Sequence, residues 1–587
     1  MLRSKGSGRE RPVLGRWVGL ETEYAVRHGL PALPPSRRQL FYRVREILQS
    51  WVATRPGRGM RQKEAFFTQN GGAICYEHLP HCPQGGLIEG ATPECVGPTQ
   101  LLLYQRAQDH LLCRGLAEVE RRFRYHNGLP SVAEDPAGAG LGLLKNCRDA
   151  DGNRYGAQEN YDADVARGPG LWLFRLALLP LCLWAALWTV VAWVAQAVII
   201  VSLVGYFLAG HVLAAVAPTT RRFKWVADIA ALDDDNDGLE KKLGGFVLAL
   251  SYGLSYPVAG PYLLLLQLFA FRDVRRDGMA FLVSRPLISG AGTVEPDGRF
   301  GLSEKGPVTG RIMRWTLKPT DRCILDPGNL LKILLLGMDF RRVDVAKVFR
   351  RRQRMQLGLS DSNLAQVAEL LKVGTTSLVL DMVEDGFLRD APRLVDPIAA
   401  LQAFVDDPTL EAIAVDRLGK SWTALELQRW YAGRAEVYLR QVDTPSMEAF
   451  HVLKLWREVL ADLEARRFEA LVGRLDWVTK RALLEECGAT GTPAVLKTLD
   501  LRYHELGNGY FARLEREGLA PRLVSDAEIR RAVRQPPDGS PAQLRGAFIR
   551  DLQGSPTSMT VSWDSAHLGS RLRPKVVPFR APRRPSS

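Results

Sequence analysis

The chain has 587 residues, of which 46% are hydrophobic and 24% charged, so it can bury a large core and is too long for one ordinary compact domain. Its formal net charge of +14 favours anionic partners such as nucleotide phosphates, acidic proteins or anionic lipid, without choosing among them. The eight cysteines are scattered without a CxxC pair, which argues against a disulfide framework and indicates free thiols in a reducing compartment.

Taken along the chain, the pattern outside an apolar middle section predicts a soluble α+β enzyme, with short β-rich runs between long amphipathic stretches. No signal peptide is expected, because the first 16 residues are basic and lack an apolar stretch. Strands are predicted at 16–26, 72–76, 281–283 and 355–359. Helices are predicted at 38–52, 100–122, 363–385, 424–442 and 447–469.

The apolar middle section predicts a membrane insert. Residues 171–218 are almost wholly apolar, which is too long for one span of about 20 residues and suits two spans or one span and a re-entrant piece. A second apolar stretch at 244–271 contains Pro257 and Pro261, which are expected to break a helix there. Basic residues flank both apolar stretches, and by the positive-inside rule these flanks are expected on the cytoplasmic side of the membrane. The alternative is a buried helical hairpin in a soluble protein.

Two local patterns imitate metal sites. The acidic run at 233–238 resembles the start of a calcium loop, but Gly244 stands where the bidentate Glu is needed, so a solvated acidic turn is expected. His78, His81 and Cys82 lie close together in a spacing that matches no zinc pattern.

The first chemical motif is a pair of carboxylates, Glu21 and Glu23, on the first predicted strand. Residues two apart on a strand point to the same face, where both could hold magnesium. Such a pair is also common on solvated strands, so the argument depends on its neighbours. The further motifs, in chain order, are Asn-Gly-Gly at 70–72 with Glu77, Ile-Glu-Gly-Ala-Thr-Pro-Glu-Cys at 88–95, Gln-Glu-Asn-Tyr at 158–161, Phe-Leu-Val-Ser-Arg at 281–285 with Gly-Ala-Gly at 290–292, and Ser-Asp-Ser-Asn at 360–363.

In this order the motifs resemble those of the Pup ligase and depupylase family. The resemblance continues through Leu-Asp-Trp-Val at 475–478, Leu-Asp-Leu-Arg-Tyr-His at 499–504 and Arg-Gly at 545–546, and it covers nearly everything except residues 165–280 and the termini. It implies a glutamine-synthetase-like fold, in which a concave antiparallel sheet with helices on one side holds ATP and Mg²⁺. The implied domains are a catalytic domain in two parts, 1–164 and 281–510, around a transmembrane insert at 165–280, then a small C-terminal domain at 511–570 and a disordered basic tail at 571–587.

The resemblance also implies roles for individual residues. Metal ligands are expected at Glu21, Glu23, Glu89 and Glu159, and the general base at Glu77. Cofactor-binding residues are expected at Arg285, Lys305 and Arg354.

The chain departs from the family pattern at three places. Glu77 stands where the family has an Asp, which extends the carboxylate by one methylene, and Gln158 stands where the family has a His. Around 314–322 the family's run is not recognisable, and Lys318 or Arg322 is expected to substitute.

Three functions remain open on the sequence. The first is an ATP-dependent ligase that joins the C-terminal glutamate of Pup, or a Pup-like modifier, to a lysine of a target protein through a glutamyl phosphate. The second is a depupylase or deamidase on the same fold, and the third a catalytically impaired nucleotide-binding membrane scaffold. The expected partners are the modifier, lysine-bearing targets and a lipid bilayer, without nucleic acid. The expected localisation is a multi-pass or re-entrant membrane protein with a cytoplasmic catalytic domain.

Overall fold

The computed structural model describes residues 11–29, 36–57, 64–78, 85–130, 140–149, 152–216, 237–317, 322–327, 330, 345–486, 492–554, 558–569 and 575–579. Three of the sequence features lie outside these residues: most of the acidic run at 233–238, the pair His81 and Cys82, and Lys318.

One large mixed sheet forms the centre of the described chain. The strands are β1 (Trp17–His28), β2 (Thr54–Pro56), β3 (Glu64–Thr68), β4 (Ala73–His78), β5 (Gly86–Ala91), β6 (Cys95–Val96), β7 (Leu141–Leu144), β8 (Gln158–Asp164), β9 (Thr293–Val294), β10 (Phe300–Gly301), β11 (Arg311–Met313), β12 (Cys323–Asp326), β13 (Arg352–Leu357), β14 (Ile413–Val415), β15 (Ser421–Thr423), β16 (Met559–Val561), β17 (Ser565–Leu568) and β18 (Lys575–Pro578). The large sheet has the order β11-β12-β13-β8-β1-β5-β4-β3-β2, and β6 and β7 also pair with β1. Its pairs are antiparallel except β11 with β12.

The alternation of residue types along β1 gives the sheet two different faces. Leu20 and Tyr24 are buried, while Glu21 and Glu23 between them are partly exposed. Successive side chains on a strand point to opposite faces, so apolar residues at even positions cover the core and carboxylates at odd positions face outward. The predicted strand and the shared face of Glu21 and Glu23 are confirmed.

Some of the helices contact the large sheet, and the others pack mainly on one another. The helices are α1 (Arg37–Trp51), α2 (Pro98–His126), α3 (Gly168–Val216), α4 (Asp237–Phe269), α5 (Arg272–Asp277), α6 (Met279–Ser284), α7 (Pro286–Ser289), α8 (Gln366–Glu384), α9 (Pro397–Asp406), α10 (Ala424–Gln441), α11 (Met447–Glu464), α12 (Asp476–Glu486), α13 (Pro493–Tyr503), α14 (Tyr510–Arg516), α15 (Asp526–Ala532) and α16 (Pro541–Asp551). The five predicted helices correspond to α1, α2, α8, α10 and α11. The strand predicted at 281–283 is wrong, because this buried apolar run is part of α6, and so short a run has no periodicity that distinguishes strand from helix.

Buried polar contacts fix the helices to the sheet. The Tyr24 hydroxyl on β1 donates to Asp109 on α2 at 2.6 Å. The Lys145 ammonium lies 3.0 Å from Asp109 and 3.2 Å from Glu369 on α8. Because each of these buried charges has a partner of opposite sign, the core gains a fixed arrangement without an unpaired charge.

The apolar middle section forms an antiparallel helical hairpin of α3 and α4. Phe174 near the start of α3 contacts Phe269 at the end of α4, and the Trp188 indole donates to the Leu254 carbonyl at 2.6 Å. The prediction that Pro257 and Pro261 break the second helix is wrong, since both lie inside α4. Pro261 has no N–H for the carbonyl of Pro257, and the Trp184 indole donates to that carbonyl at 2.9 Å.

The predicted membrane localisation is wrong. Within the described residues, one helical segment, Gly168–Ile199, is long and apolar enough to cross a bilayer, and α4 supplies only the shorter apolar segment Gly253–Phe269. Tyr262, Leu263 and Leu266 of that segment are buried in the main core of the protein. In α4, apolar residues that pack on the protein core give the same hydropathy signal as residues that face lipid, so this stretch was counted as a second span.

The C-terminal part forms a small three-stranded sheet with the order β16-β17-β18. Arg545 on α16 is fully buried, donates to the Gly71 carbonyl at 2.9 Å and pairs with Glu94, which ties this part to the large sheet. The disorder predicted for residues 571–587 is corrected at 575–578, because these residues pair with β17 as β18. Paired backbone hydrogen bonds give order to a segment whose composition alone predicts none.

Candidate active site

Three carboxylates converge on the outward face of the sheet. Glu23 on β1 lies directly opposite Glu89 on β5, and Glu77 on β4 lies diagonally beside Glu89, because Cys75 is the partner of Glu89 in that register. One oxygen of each side chain lies within 4.8 Å of the other two. Carboxylate oxygens are the ligands that Mg²⁺ prefers, so the donor set of this carboxylate cluster fits a magnesium ion.

The backbone next to β8 helps to position the cluster. Gly156 donates its N–H to Glu23 Oε2 at 2.8 Å, and its φ of +110° lies in the left-handed region. A Cβ at Gly156 would lie 2.2 Å from Cys147 Sγ. Only glycine fits this turn without displacing the buried thiol, so the amide that holds Glu23 depends on this residue.

Glu21 lies on the same face and has its own partners. Arg354 on β13 donates to Glu21 and to Asn160 Oδ1 at 2.7 Å, and Gln356 donates to Glu21 Oε2 at 3.4 Å. Arg354 thus lies on the outward face, where its charge is shared with Glu21, and its expected cofactor-binding role stays a prediction. Gln158, which replaces the family's His, also lies on this face and hydrogen-bonds to Gln356.

A basic cavity of about 90 Å³ adjoins these side chains. Its charged lining consists of Arg154, Lys305, Arg314, Arg322 and Asp326. Asp326 forms an ion pair with Arg314 at 2.6 Å. The remaining positive charges give this cavity the character of a phosphate site.

Lys305 is held at the cavity by a carboxylate on another motif. Asp361 accepts hydrogen bonds from the backbone N–H groups of Ala291, Glu304 and Lys305 at 2.9, 3.0 and 3.0 Å. The Lys305 ammonium donates to the Ala157 carbonyl at 2.6 Å, and burial lowers the pKa of Lys305. The contacts of Asp361 explain why the Gly-Ala-Gly and Ser-Asp-Ser-Asn motifs occur together: one motif supplies the amides and the other the acceptor.

The structure does not bring Glu159 or Arg285 to the outward face. Glu159 pairs with Leu20 in the register of β8 with β1, so its side chain points to the core. It forms a two-bond ion pair with Arg285 at 2.8 and 2.7 Å, and both side chains are at most 2% exposed. Burial opposes the charge of Arg285, and Glu159 raises the pKa of this guanidinium. The pair joins β8 to the helices and lies on the wrong face for metal or phosphate binding.

Sequence reasoning missed part of the basic cavity. Arg154 and Arg314 were not singled out, and no strand was predicted at β11, which leads into Arg314. The signal is weak there because β11 has only three residues, too few to show an alternating pattern. Arg322, expected as a substitute, lines the cavity and donates to the Arg154 carbonyl at 2.6 Å.

The comparisons with known proteins agree on one family. The family model described as "Pup-ligase protein" matches residues 16–567. The Pup–protein ligase of Acidimicrobium ferrooxidans is 35% identical over 304 residues, which cover 51% of this chain and 64% of the relative. The Pup–protein ligase of Mycobacterium tuberculosis (strain F11) is 30% identical over 379 residues, which cover 62% of this chain and 80% of the relative.

Two solved structures have a similar fold. The crystal structure of the complex between the prokaryotic ubiquitin-like protein Pup and its ligase PafA matches 98% of this chain and 92% of that chain, with a TM-score of 0.64 and 21% identity. The structure of PafA in complex with ADP matches 95% and 94%, with a TM-score of 0.59 and 21% identity. Both matches show that the fold of this chain is similar to that of PafA.

Proposed function

This chain belongs to the Pup-ligase family, whose model matches residues 16–567, and from that premise we propose that it is an ATP-dependent ligase. It joins the C-terminal glutamate of Pup, or of a Pup-like modifier, to lysine side chains of target proteins. Because the match covers 64% of the first relative, the substrates and partners of the whole enzyme are part of the proposal. The observation that carries it is the carboxylate cluster of Glu23, Glu77 and Glu89 beside the basic cavity around Lys305.

Each side of the site has one task in the first half-reaction. Lys305, Arg154 and Arg322 hold the phosphates of ATP, so that the γ-phosphoryl group faces the outward face of the sheet. A carboxylate of the modifier's C-terminal glutamate attacks the γ-phosphorus, and the bond from this phosphorus to the β-phosphate oxygen breaks. The products are ADP and a glutamyl phosphate. Glu23 and Glu89 are the residues to hold Mg²⁺, which when bound neutralises phosphate charge during this transfer.

The second half-reaction requires a base. The target lysine attacks the acyl carbon of the glutamyl phosphate, an isopeptide bond forms, phosphate leaves, and the ammonium must lose a proton. We assign this role to Glu77 because it belongs to the carboxylate cluster and lies on β4, next to the strand that carries Glu89. A carboxylate in reach of the amine can accept the proton directly. The extra methylene of Glu77 relative to Asp moves the acceptor by about one bond length, which is enough to affect the rate.

The family relatives favour ligation over the two alternatives. Both relatives described above are named as Pup–protein ligases, which supports a ligase rather than a depupylase or deamidase. The retained cluster argues against an impaired scaffold, because a protein that only binds nucleotide has no need of a third carboxylate at the lysine side.

The test is ATP turnover and conjugate formation by the purified full chain. We expect ADP release that needs both Mg²⁺ and a Pup ending in glutamate, together with a new Pup–protein band on a denaturing gel. Glu23→Gln and Glu89→Gln should abolish both, and Glu77→Gln should abolish the conjugate. The control Glu464→Gln, at an exposed ion pair with Arg429, should leave them unchanged. Bound nucleotide without turnover would indicate a scaffold, and cleavage of a preformed conjugate without synthesis would indicate a hydrolase.

A further inference from the structure

A second concave surface opens at the base of the helical hairpin. This arginine groove has a volume of about 780 Å³ and is lined by the end of α4, helices α5 and α6, and the segment before α9. One side is apolar, with Leu268 55% exposed and Val395 63% exposed. The other side carries the arginines Arg272, Arg275, Arg276, Arg393 and Arg417.

The arginines of the groove exceed the carboxylates that face them. Arg276 pairs with Asp273 at 3.2 Å and with Asp277 at 2.7 Å, and Arg393 lies 3.6 Å from the same Asp277. Arg272 and Arg417 are exposed, and neither forms an ion pair with any carboxylate that the structure describes.

The fifth arginine adds to this excess. Arg275 donates to the backbone carbonyls of Ala270 and Gln267 at 3.1 and 2.7 Å. Burial, and to a lesser extent the neighbouring charge of Arg272, lowers the pKa of Arg275. Among the described residues, three of the five groove arginines therefore have no carboxylate partner.

The groove begins next to the active site. Ile312 on β11 lines the groove, and Arg314, two residues further, lines the basic cavity. Gln267 at the end of α4 donates to the Arg314 carbonyl at 3.0 Å, so the hairpin forms the boundary between the two surfaces. A chain lying in the groove would have its end close to the basic cavity.

We propose that the arginine groove docks an acidic segment of the target protein that has one apolar face, and so selects which lysines are modified. This inference rests on the proposed function. Leucine-sized side chains would cover Leu268 and Val395, while aspartate or glutamate side chains would pair with Arg272 and Arg417. The arrangement is that of an amphipathic helix in a groove, where apolar contacts give affinity and charges give orientation and rate of association.

The position of the groove assigns it to the target rather than to the modifier. One wall, formed by 267–280, belongs to the segment 165–280, where the sequence shows no family motif. Every ligase of the family must accept the modifier, so its site is expected on elements that carry the family motifs. A surface built partly by a segment without family motifs suits a partner that differs from one enzyme to another.

The first measurement is binding of a fluorescent peptide of about 20 residues that repeats Glu and Leu at helical spacing. Its control is a peptide of the same composition in an order that scatters Glu and Leu around the helix. Fluorescence anisotropy with the full chain should show tight binding of the first peptide only, weakened by salt. The double variant Arg272→Glu, Arg417→Glu should raise Kd at least about tenfold, since two attractive charges become repulsive.

Matched variants separate charge from general damage. Arg272→Lys, Arg417→Lys should retain most of the binding, and Arg37→Glu, Arg350→Glu, at exposed positions outside the groove, should leave Kd unchanged. A carrier protein with the acidic peptide fused beside a lysine should be modified faster than one with the scrambled peptide, and the charge-reversed variant should lose this preference. ATP turnover stimulated by Pup should stay the same in that variant.

The outcomes distinguish the two proposals. Unchanged peptide binding by the charge-reversed variant would overturn the groove assignment. A parallel loss of Pup affinity would show that the modifier lies in the groove and would overturn the assignment to the target. If the unaltered protein shows no ATP turnover at all, the proposed ligase activity fails, and the anisotropy measurement alone then decides whether the groove binds an acidic segment.

Discussion

Replacing Glu159 by glutamine separates the role implied by the family resemblance from the role shown by the geometry. Glutamine has the same shape but no charge, so Arg285 would keep a full charge in a site where it is 2% exposed. Breaking a buried ion pair on one side costs about 3 to 5 kcal/mol. At about 2 °C per kcal/mol for a large domain, the apparent Tm should fall by roughly 6 to 10 °C.

The double variant Glu159→Leu, Arg285→Met tests the cause of that loss. It removes both charges, and Thr376 remains satisfied because its hydroxyl also donates to the Lys372 carbonyl at 2.7 Å. Two groups lose a partner: the Leu359 carbonyl, which now accepts from Arg285, and the buried Tyr161 hydroxyl, which now donates to Glu159. Adding Tyr161→Phe removes the second loss and leaves a cost of about 1 to 3 kcal/mol at the carbonyl. With Tyr161→Phe added, the variant should therefore be more stable than Glu159→Gln alone.

The assay is thermal unfolding of the full chain by differential scanning fluorimetry, beside Mg²⁺-dependent ATP turnover below the melting range. Glu159→Gln should lower Tm while its turnover at low temperature keeps the Mg²⁺ dependence of the unaltered protein. Glu464→Gln, at the half-exposed pair with Arg429, should change Tm by no more than about 2 °C, since exposed pairs contribute about 0 to 1 kcal/mol. An unchanged Tm with a large increase in the Mg²⁺ requirement would refute the structural role and restore Glu159 as a metal ligand.

Three further changes follow from single contacts. Asp361→Asn should weaken nucleotide binding at least about tenfold by releasing the backbone of Lys305, with Mg²⁺ affinity unchanged in calorimetric titrations. Burial raises the pKa of Glu304 from 4.5 to about 8. Between pH 4.5 and 8 the unfolded chain has already lost the proton that the folded chain retains, so the free energy of unfolding should fall as the pH rises through this range. Glu304→Gln should flatten this pH dependence in urea titrations. Trp184→Phe should lower stability by about 0.5 to 1.5 kcal/mol in the same titrations, because the Pro257 carbonyl loses its indole donor at a position that water can reach.

The sequence predicted which residues lie on the outward face correctly where the prediction needed only the period of one strand. Glu21 and Glu23 share a face because of the period of a single strand, and no knowledge of neighbours is needed. Glu159 shows where that reasoning stops. Gln158 and Glu159 are adjacent, so one of them must point to the outward face and the other to the core, and only the register of β8 with β1 decides which. The family resemblance led to Glu159 as the expected metal ligand, and in the register of β8 with β1 this residue points to the core.

The hairpin shows a second limit of local signals. Hydropathy reports that a segment avoids water, and it does not report whether lipid or protein replaces the water. The two prolines were interpreted from their missing N–H groups alone, while the compensating donor, the Trp184 indole, lies 73 residues away in the sequence. Local rules state correctly that a carbonyl will lose its partner; which side chain replaces the donor depends on the tertiary pairing of the helices.

The charged residues on the two faces of the sheet differ in whether their charges are neutralised within the protein. On the inward face, Glu159 and Arg285 neutralise each other completely, which fixes the strand on the helices and leaves no charge for a substrate. On the outward face, Glu23, Glu77 and Glu89 repel one another, and that repulsion falls when a cation or a proton enters. In the ligase reaction proposed above, Mg²⁺ would relieve this repulsion at one end of the cluster and a proton from lysine at the other, which would couple the two half-reactions through the same three carboxylates.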